Sequence, residues 1–205
     1  GSITPGHTYA YPRSLDIHNG HLYATTNYGL FTQNLSNGAS KICARALYWN
    51  NSYTITGSGS YLYSFYNSRM YRGTLTSSGS NLCPTSIRNY YDSSMSYGFG
   101  MTAHPTNPNE LYFMSRGRNS LYKITVNSNG TGRTINWQKG KYGYNKQSTT
   151  TQNYFYYPWG IHYDDDNDRL IVSGYSAKKI QVFNSNGVFI KDKGGVAATT
   201  RMAAA

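Results

Sequence analysis

Short runs that alternate between apolar and polar residues recur along the whole chain, and clusters of Gly, Asn, Ser and Pro separate them. Runs of this length that are rich in Tyr, Leu, Ile, Val and Phe are typical of β-strands. No stretch places apolar residues at the three-to-four spacing of an amphipathic helix. The pattern therefore predicts an all-β protein with almost no helix.

The runs fall into four repeats, each with three runs before a closing glycine and a fourth run after it. The closing glycines recur at intervals of roughly 40 to 60 residues, which is close to the length of a propeller blade. A four-stranded antiparallel meander per repeat predicts a small β-propeller of about four blades in a single domain. The expected blades span roughly residues 8–48, 49–90, 91–138 and 155–193 of a domain over residues 1–193, followed by a tail without blade signal over residues 194–205.

The fourth repeat resembles an NHL repeat. It contains Tyr157-Pro158-Trp159-Gly160-Ile161, an acidic turn over residues 164–168, the strand Lys179-Ile180-Gln181-Val182-Phe183 and the closing Gly187. The resemblance is best over residues 157–190 and weaker in the other three repeats. It implies a propeller with NHL-like blades. NHL propellers typically have six blades, so a closed four-bladed ring and an open arc completed by a neighbouring chain both remain open.

Lys and Arg number 19 against 8 Asp and Glu, which gives a net charge of +11. Such an excess favours acidic partners, although it also serves solubility. In a propeller, the loops from second to third strand and from blade to blade share one face, here called the upper face. Basic and tyrosine side chains predicted on this face form the candidate ligand-binding set: Arg69, Arg116, Arg118, Lys139, Lys141, Tyr142, Tyr144, Lys178 and Lys179.

The remaining turns form the opposite, lower face, where Glu110 and four aspartates between residues 164 and 168 are expected. We therefore expect a non-enzymatic extracellular module whose upper face docks onto an acidic glycan. The same face could instead meet an acidic protein surface, such as the lower face of a neighbouring copy in head-to-tail assembly. An NHL-type RNA-binding propeller is the alternative, and a propeller lyase or hydrolase ranks third.

Cys43 and Cys83 occupy similar places in successive repeats. A bridge between them would stabilise the fold by about 4 kcal/mol, and the alternative is two separate buried thiols. Glycosylation sequons occur at Asn34, Asn50 and Asn129. These features favour an extracellular or cell-surface setting, and no apolar run is long enough to predict a membrane span.

The sequence contains no recognisable catalytic motif. Asp164, Asp166 and Asp168 alternate as in a calcium loop, but the required glycine and bidentate glutamate are missing. His18 and His104 share a register with Asp164, yet histidines at strand ends more often cap turns. We therefore predict no metal and no cofactor. The repeated tyrosines Tyr23, Tyr63 and Tyr112 are expected at core and blade-interface positions.

Overall fold

The computed structural model describes residues 11–44, 52–76, 83–140, 155–174 and 179–194. These residues form four four-stranded antiparallel sheets arranged as a four-bladed β-propeller, which confirms the predicted fold class. Helix in these ranges is limited to two single 3-10 turns, Ser93–Met95 and Asp165–Asn167. Neither turn is long or apolar enough to cross a membrane. Apart from Gly194, the expected tail lies outside the described residues.

Each blade is a meander whose strands follow one another in chain order. Blade 1 contains β1 Pro12–His18, β2 His21–Thr26, β3 Gly29–Asn34 and β4 Ser40–Ala44; blade 2 contains β5 Thr54–Ser58, β6 Tyr61–Tyr66, β7 Arg69–Thr74 and β8 Thr85–Tyr91; blade 3 contains β9 Gly98–Ala103, β10 Glu110–Ser115, β11 Ser120–Val126 and β12 Arg133–Gly140; blade 4 contains β13 Pro158–Asp164, β14 Arg169–Gly174, β15 Lys179–Asn184 and β16 Phe189–Gly194.

The first strand of every blade lies innermost and borders a central channel. β1 packs against β5, β5 against β9, and β9 against β13. Two cavities of about 340 and 330 Å³ follow one another along this channel, and each is lined by residues of all four inner strands. Each inner strand runs from the upper face to the lower face, so the turns that carry Arg116 and Asp165 lie at opposite ends of the molecule.

Apolar clusters fill the junctions between successive blades. The largest joins blades 2 and 3, a second joins blades 3 and 4, and a third joins blades 1 and 2. Tyr23, Tyr63 and Tyr112 are buried, and each belongs to the cluster that its blade shares with the following blade. The repeated tyrosines are therefore blade-interface residues, as the sequence predicts.

Polar contacts and one covalent bond also tie neighbouring blades together. The Tyr63 hydroxyl donates a hydrogen bond to the carbonyl oxygen of Pro108, over 3.0 Å. Cys43 in β4 forms a disulfide with Cys83, which lies just before β8, and their Cα atoms are 5.5 Å apart. The bridge joins the outer part of blade 1 to blade 2, and this Cα separation is usual for disulfides.

Candidate docking face

The four inner strands bring one large side chain each to the upper mouth of the channel. Arg13, Tyr53, Phe99 and Trp159 all line the upper cavity. In each blade, the fourth residue of the second strand pairs with one residue of the inner strand, and the large side chain lies two residues before that partner. The four side chains therefore share one register. Because equivalent positions of different blades surround one axis, the repeat itself builds this ring of residues.

Three of these side chains form a continuous row of aromatic rings. The Tyr53 ring stacks on Phe99 at 4.6 Å between centroids, and Phe99 lies 4.9 Å from Trp159. The Arg13 guanidinium lies over Tyr53, 5.2 Å from the ring centroid. At the other end, Arg116 completes the set, which we call the aromatic–arginine row. Such an arrangement combines flat apolar surfaces with fixed positive charge.

Arg116 is held at the mouth by rings and not by a carboxylate. Its guanidinium lies 4.6 Å from the centroid of Tyr157, 5.0 Å from Phe99 and 5.7 Å from Trp159. Its backbone N–H donates to the carbonyl oxygen of Tyr97, which fixes the turn between β10 and β11. Within the described ranges, its side chain pairs with no acidic group, so its N–H donors remain available for an anionic ligand.

The lower half of the channel differs in chemistry. The lower cavity is lined by Asp16, His18, His104 and Asp165, among others. The Asp16 carboxylate accepts a hydrogen bond from the backbone N–H of Gly57 over 2.6 Å. Desolvation by burial raises the pKa of Asp16 in spite of this bond. Among the residues described, no three His, Cys, Asp or Glu side chains are grouped closely enough to hold a metal ion.

Arg69 and Arg118 both lie at the upper face, although each has contacts within the protein. Arg69 donates to Oδ1 of Asn89 over 3.2 Å and lies over the exposed ring of Tyr91. Arg118 donates through Nε and Nη2 to the carbonyl oxygen of Ser93, over 3.3 and 2.8 Å. Its guanidinium therefore anchors the 3-10 turn beside blade 3.

Two predicted lysines lie elsewhere. Lys179 is buried and pairs with Asp192 of the neighbouring strand over 3.4 Å, so its ammonium is not part of the exposed face. This ion pair between adjacent strands explains how the charge is tolerated inside the blade. Lys139 lies against Gly187 at the junction of blades 3 and 4. The other members of the predicted set lie outside the described residues: Lys141, Tyr142, Tyr144 and Lys178.

The side chains that form the mouth were not among the binding residues predicted from the sequence. Arg13, Tyr53, Phe99 and Trp159 lie at strand starts, whereas the predicted binding residues were expected in loops. The available signal was their equal offset within the four repeats. Aligning the inner strands by register would have shown one arginine and three aromatic residues at a single level.

The acidic residues of the lower face are partly engaged within the protein. Glu110 pairs with Lys123 over 2.9 Å. Asp168 accepts hydrogen bonds from the hydroxyls of Tyr163, at 2.5 Å, and Ser185, at 2.9 Å. The Tyr163 hydrogen bond is the main cause of a lowered pKa at Asp168. Asp165 and Asp166 remain exposed in their 3-10 turn, so the lower face keeps acidic character.

Two of the three sequons lie in the described part of the chain, and both are at turns of the lower face. Asn129 is exposed, and its Oδ1 accepts from the backbone N–H of Thr131. Asn34 ends β3, and its Oδ1 accepts from the backbone N–H and hydroxyl of Ser36. Asn50 lies outside the described residues. Use of these sites for glycosylation stays a prediction.

No family model and no curated protein match the chain. Among solved structures, a chain of a nidogen–laminin complex is 16% identical with a TM-score of 0.65, and the match covers 91% of this chain and 66% of that one. A functionally unknown protein from Desulfotomaculum acetoxidans is 14% identical with a TM-score of 0.65 over 92% of this chain and 58% of its own. Inactive H270A virginiamycin B lyase from Staphylococcus aureus, in complex with quinupristin, is 15% identical with a TM-score of 0.60 over 92% and 57%.

These similarities identify the propeller fold alone, because all three identities are low. The chain spans between about half and two thirds of the length of the first structures it matches, with coverage of 66%, 47% and 58%. The matched proteins include chains from protein complexes and a lyase. Fold likeness of this kind does not transfer function, which has to be argued from the site.

Proposed function

We propose that the chain is a non-enzymatic, extracellular binding module with NHL-like blades, which docks onto an anionic glycan through the upper mouth of its channel. The observation that carries this proposal is the aromatic–arginine row. Arg13 and Arg116 flank three rings that come from three different blades. The rings are already packed against one another, so the binding surface is organised before a ligand arrives.

A sulfated or carboxylated sugar has the matching chemistry. Its C–H faces are apolar and fit against aromatic rings, while its anionic groups accept hydrogen bonds from guanidinium in a forked geometry. The net charge of +11 adds a long-range attraction for such a polyanion. Arg69 and Tyr91 extend the basic and aromatic surface outward along blade 2. A chain of several sugars could therefore follow the upper face beyond the mouth.

The extracellular setting is supported by the disulfide between Cys43 and Cys83, because such bonds persist mainly in oxidising compartments. A binding role is favoured over catalysis because the sequence contains no recognisable catalytic motif. Asp16, the half-buried acid of the channel, is held by the protein backbone. Its carboxylate is already hydrogen-bonded to the backbone of Gly57. RNA is the rival ligand, because unpaired bases stack on aromatic rings and phosphates pair with arginine.

Calorimetric titration with a sulfated hexasaccharide, its unsulfated counterpart and a short single-stranded RNA tests the proposal. We expect binding of the sulfated sugar that weakens with salt, and much weaker binding of the other two. Arg116→Ala should lower the affinity about tenfold or more, because hydrogen bonds to charged groups contribute about 1.5–3 kcal/mol. Lys41→Ala removes an equal charge from exposed strand β4 and serves as the matched control.

Two results would overturn the glycan assignment. One is tighter binding of the RNA than of the sulfated sugar, which would favour the rival ligand. The other is an equal loss of affinity in Arg116→Ala and Lys41→Ala, which would show that net charge alone drives binding and that the aromatic–arginine row is not the site.

A further inference from the structure

A leucine repeated in all four blades reveals that blade 1 lacks a neighbour on one side. The second residue of the second strand is Leu62 in blade 2, Leu111 in blade 3 and Leu170 in blade 4, and each has 0% exposure. Each belongs to the cluster that its blade shares with the preceding blade. The equivalent Leu22 of blade 1 is only half-buried. We call this side of a blade its preceding face.

The inner strand of blade 1 shows the same difference. Ile55 and Met101 occupy one register position in β5 and β9 and are 3% and 6% exposed. Leu15 holds this position in β1 and is 55% exposed, and Ile17, two residues further along, is 61% exposed. Ser14 and Asp16 alternate with these two residues along β1, and they point to blade 2 and accept hydrogen bonds from its backbone N–H groups. The apolar side chains of β1 therefore lie on the preceding face of blade 1, where they border the channel and belong to none of the apolar clusters formed by the described residues.

Blade 4 has the complementary deficiency on its opposite side, its following face. Where the other blades carry a buried interface tyrosine, blade 4 has Ile171, which is only half-buried. Its strand neighbours Leu170 and Val172 pack against blade 3, so alternation along the strand directs Ile171 away from that blade. Val182 pairs with Ile171 across β14 and β15 and lies on the same face, where it is 8% exposed and belongs to no apolar cluster of the described residues.

Among the described residues, no apolar cluster pairs these two faces within one molecule. Apolar clusters join blades 1 and 2, 2 and 3, and 3 and 4, but none of the clusters formed by the described residues joins blade 4 to blade 1. Nor does β13 pack against β1 in the way that the other inner strands pack against their neighbours. At the seam between blades 4 and 1, the described residues therefore leave both apolar faces without the partner that every other junction supplies.

We infer that the preceding face of blade 1 packs against the following face of blade 4 from a second copy of the chain. At all three established junctions, a following face packs against a preceding face, so the intermolecular contact continues an interface the chain already forms three times. The surfaces are different on the two copies, which makes the contact heterologous. In such a pair, one copy retains an unused following face and the other an unused preceding face, so assembly either extends or closes into a ring.

Sedimentation velocity across a range of protein concentrations measures the assembly directly. We expect the wild-type chain to form dimers or larger species as the concentration rises. Ile17→Asp blocks every preceding face and Ile171→Asp blocks every following face, so each variant alone should stay monomeric. Leu35→Asp is the matched control, since Leu35 is an exposed apolar residue in the turn between β3 and β4 and lies outside β1 and β14. It should assemble like the wild type.

Mixing the two blocked variants gives the sharpest outcome. Ile171→Asp still offers an intact preceding face and Ile17→Asp an intact following face, so the mixture should form a 1:1 heterodimer and nothing larger. Recovery of this dimer also shows that both variants are folded. Leu15→Asp provides a second blocked preceding face and should behave like Ile17→Asp.

Three results would overturn the inference. The first is a wild-type chain that remains monomeric at every concentration, which would mean that the seam is closed within the chain or covered by a different partner. The second is a mixture of blocked variants that stays monomeric while the wild type assembles. The third is loss of assembly when Asp165 and Asp166 are replaced by lysine, because it would assign the contact to the charged upper and lower faces.

Discussion

The guanidinium of Arg72 in blade 2 donates a hydrogen bond to the carbonyl oxygen of Ser128 in blade 3, over 2.8 Å. A second hydrogen bond, of 3.3 Å, reaches the carbonyl oxygen of Asn127. The other side of the group lies 4.3 Å from the ring centroid of Tyr61. Arg72 is buried, so backbone carbonyls and an aromatic ring replace the water that its charge would otherwise need.

Replacing this arginine should weaken the junction between blades 2 and 3. We expect Arg72→Ala to lower the free energy of unfolding by about 2–3 kcal/mol, because the hydrogen bonds from the charged guanidinium to two backbone carbonyl oxygens of blade 3 are lost. Urea unfolding measures the change. Arg88→Ala is the matched control, since Arg88 faces Arg72 across the strand pair but is exposed, and should change stability by less than about 0.5 kcal/mol. Equal losses of stability in the two variants would show that the contacts of Arg72 with blade 3 do not stabilise this junction.

Two glycines with the same backbone conformation allow the cost of that conformation to be measured separately from the cost of a crowded side chain. Gly38 and Gly130 both have φ of +73°, a region that disfavours side chains. A Cβ at Gly38 has no atom within 4 Å, whereas at Gly130 it would lie 2.7 Å from the guanidinium of Arg72. Each change to alanine should cost about 1 kcal/mol for the conformation. Gly130→Ala should cost about 1–3 kcal/mol more for overpacking.

Thermal and urea unfolding of both glycine variants provide the comparison. The added loss at Gly130 should largely disappear in an Arg72→Ala background, since the crowded group is then absent. The same stability for Gly38→Ala and Gly130→Ala would show that the turn moves freely and that the contact with Arg72 is not tight.

The fold could be predicted because its signals are local. Alternation of apolar and polar residues has the period of a strand, and turn glycines such as Gly38 and Gly187 supply the positive φ that a tight connection needs. The repeated order of these signals then gives the blade. None of these steps requires knowledge of which residues meet across the molecule.

The candidate site depends on contacts between distant residues and was only partly predictable. Phe99 and Trp159 are apolar residues near strand starts, and in sequence they are indistinguishable from core residues. Only the packing of successive inner strands along the channel places them beside Arg116. Lys179 differs in the opposite direction, because it was predicted as a binding residue of the exposed face but is buried. Its burial depends on an ion pair with Asp192 of the next strand.

The disulfide should make a large contribution to stability. It links residues 40 positions apart, and the chain-entropy model gives about 4 kcal/mol for a loop of this length. We expect the double variant Cys43→Ala/Cys83→Ala to unfold at a lower urea concentration than the wild type. Adding a reductant to the wild type should produce the same shift, and intact mass should change accordingly. A wild type insensitive to reductant would contradict a formed bridge.

The half-buried carboxyl of Asp16 should make stability depend on pH in a defined direction. Burial raises the pKa of Asp16 above the unfolded value of about 3.9, so the native state retains a proton that the unfolded chain releases. Stability is therefore lost as pH rises from about 4 through the raised native pKa. In Asp16→Asn, the amide oxygen can still accept the Gly57 hydrogen bond without charge.

Urea unfolding of the wild type and Asp16→Asn at several pH values above 4 tests this linkage. The stability of the variant relative to the wild type should increase with pH, and it should reach a constant value once the carboxyl is ionised in both states. Asp166→Asn removes one carboxylate from the exposed turn after β13 and reports the effect of net charge alone. If the two variants respond to pH in the same way, burial at residue 16 is not the cause, and the channel solvates this carboxylate better than its surroundings indicate.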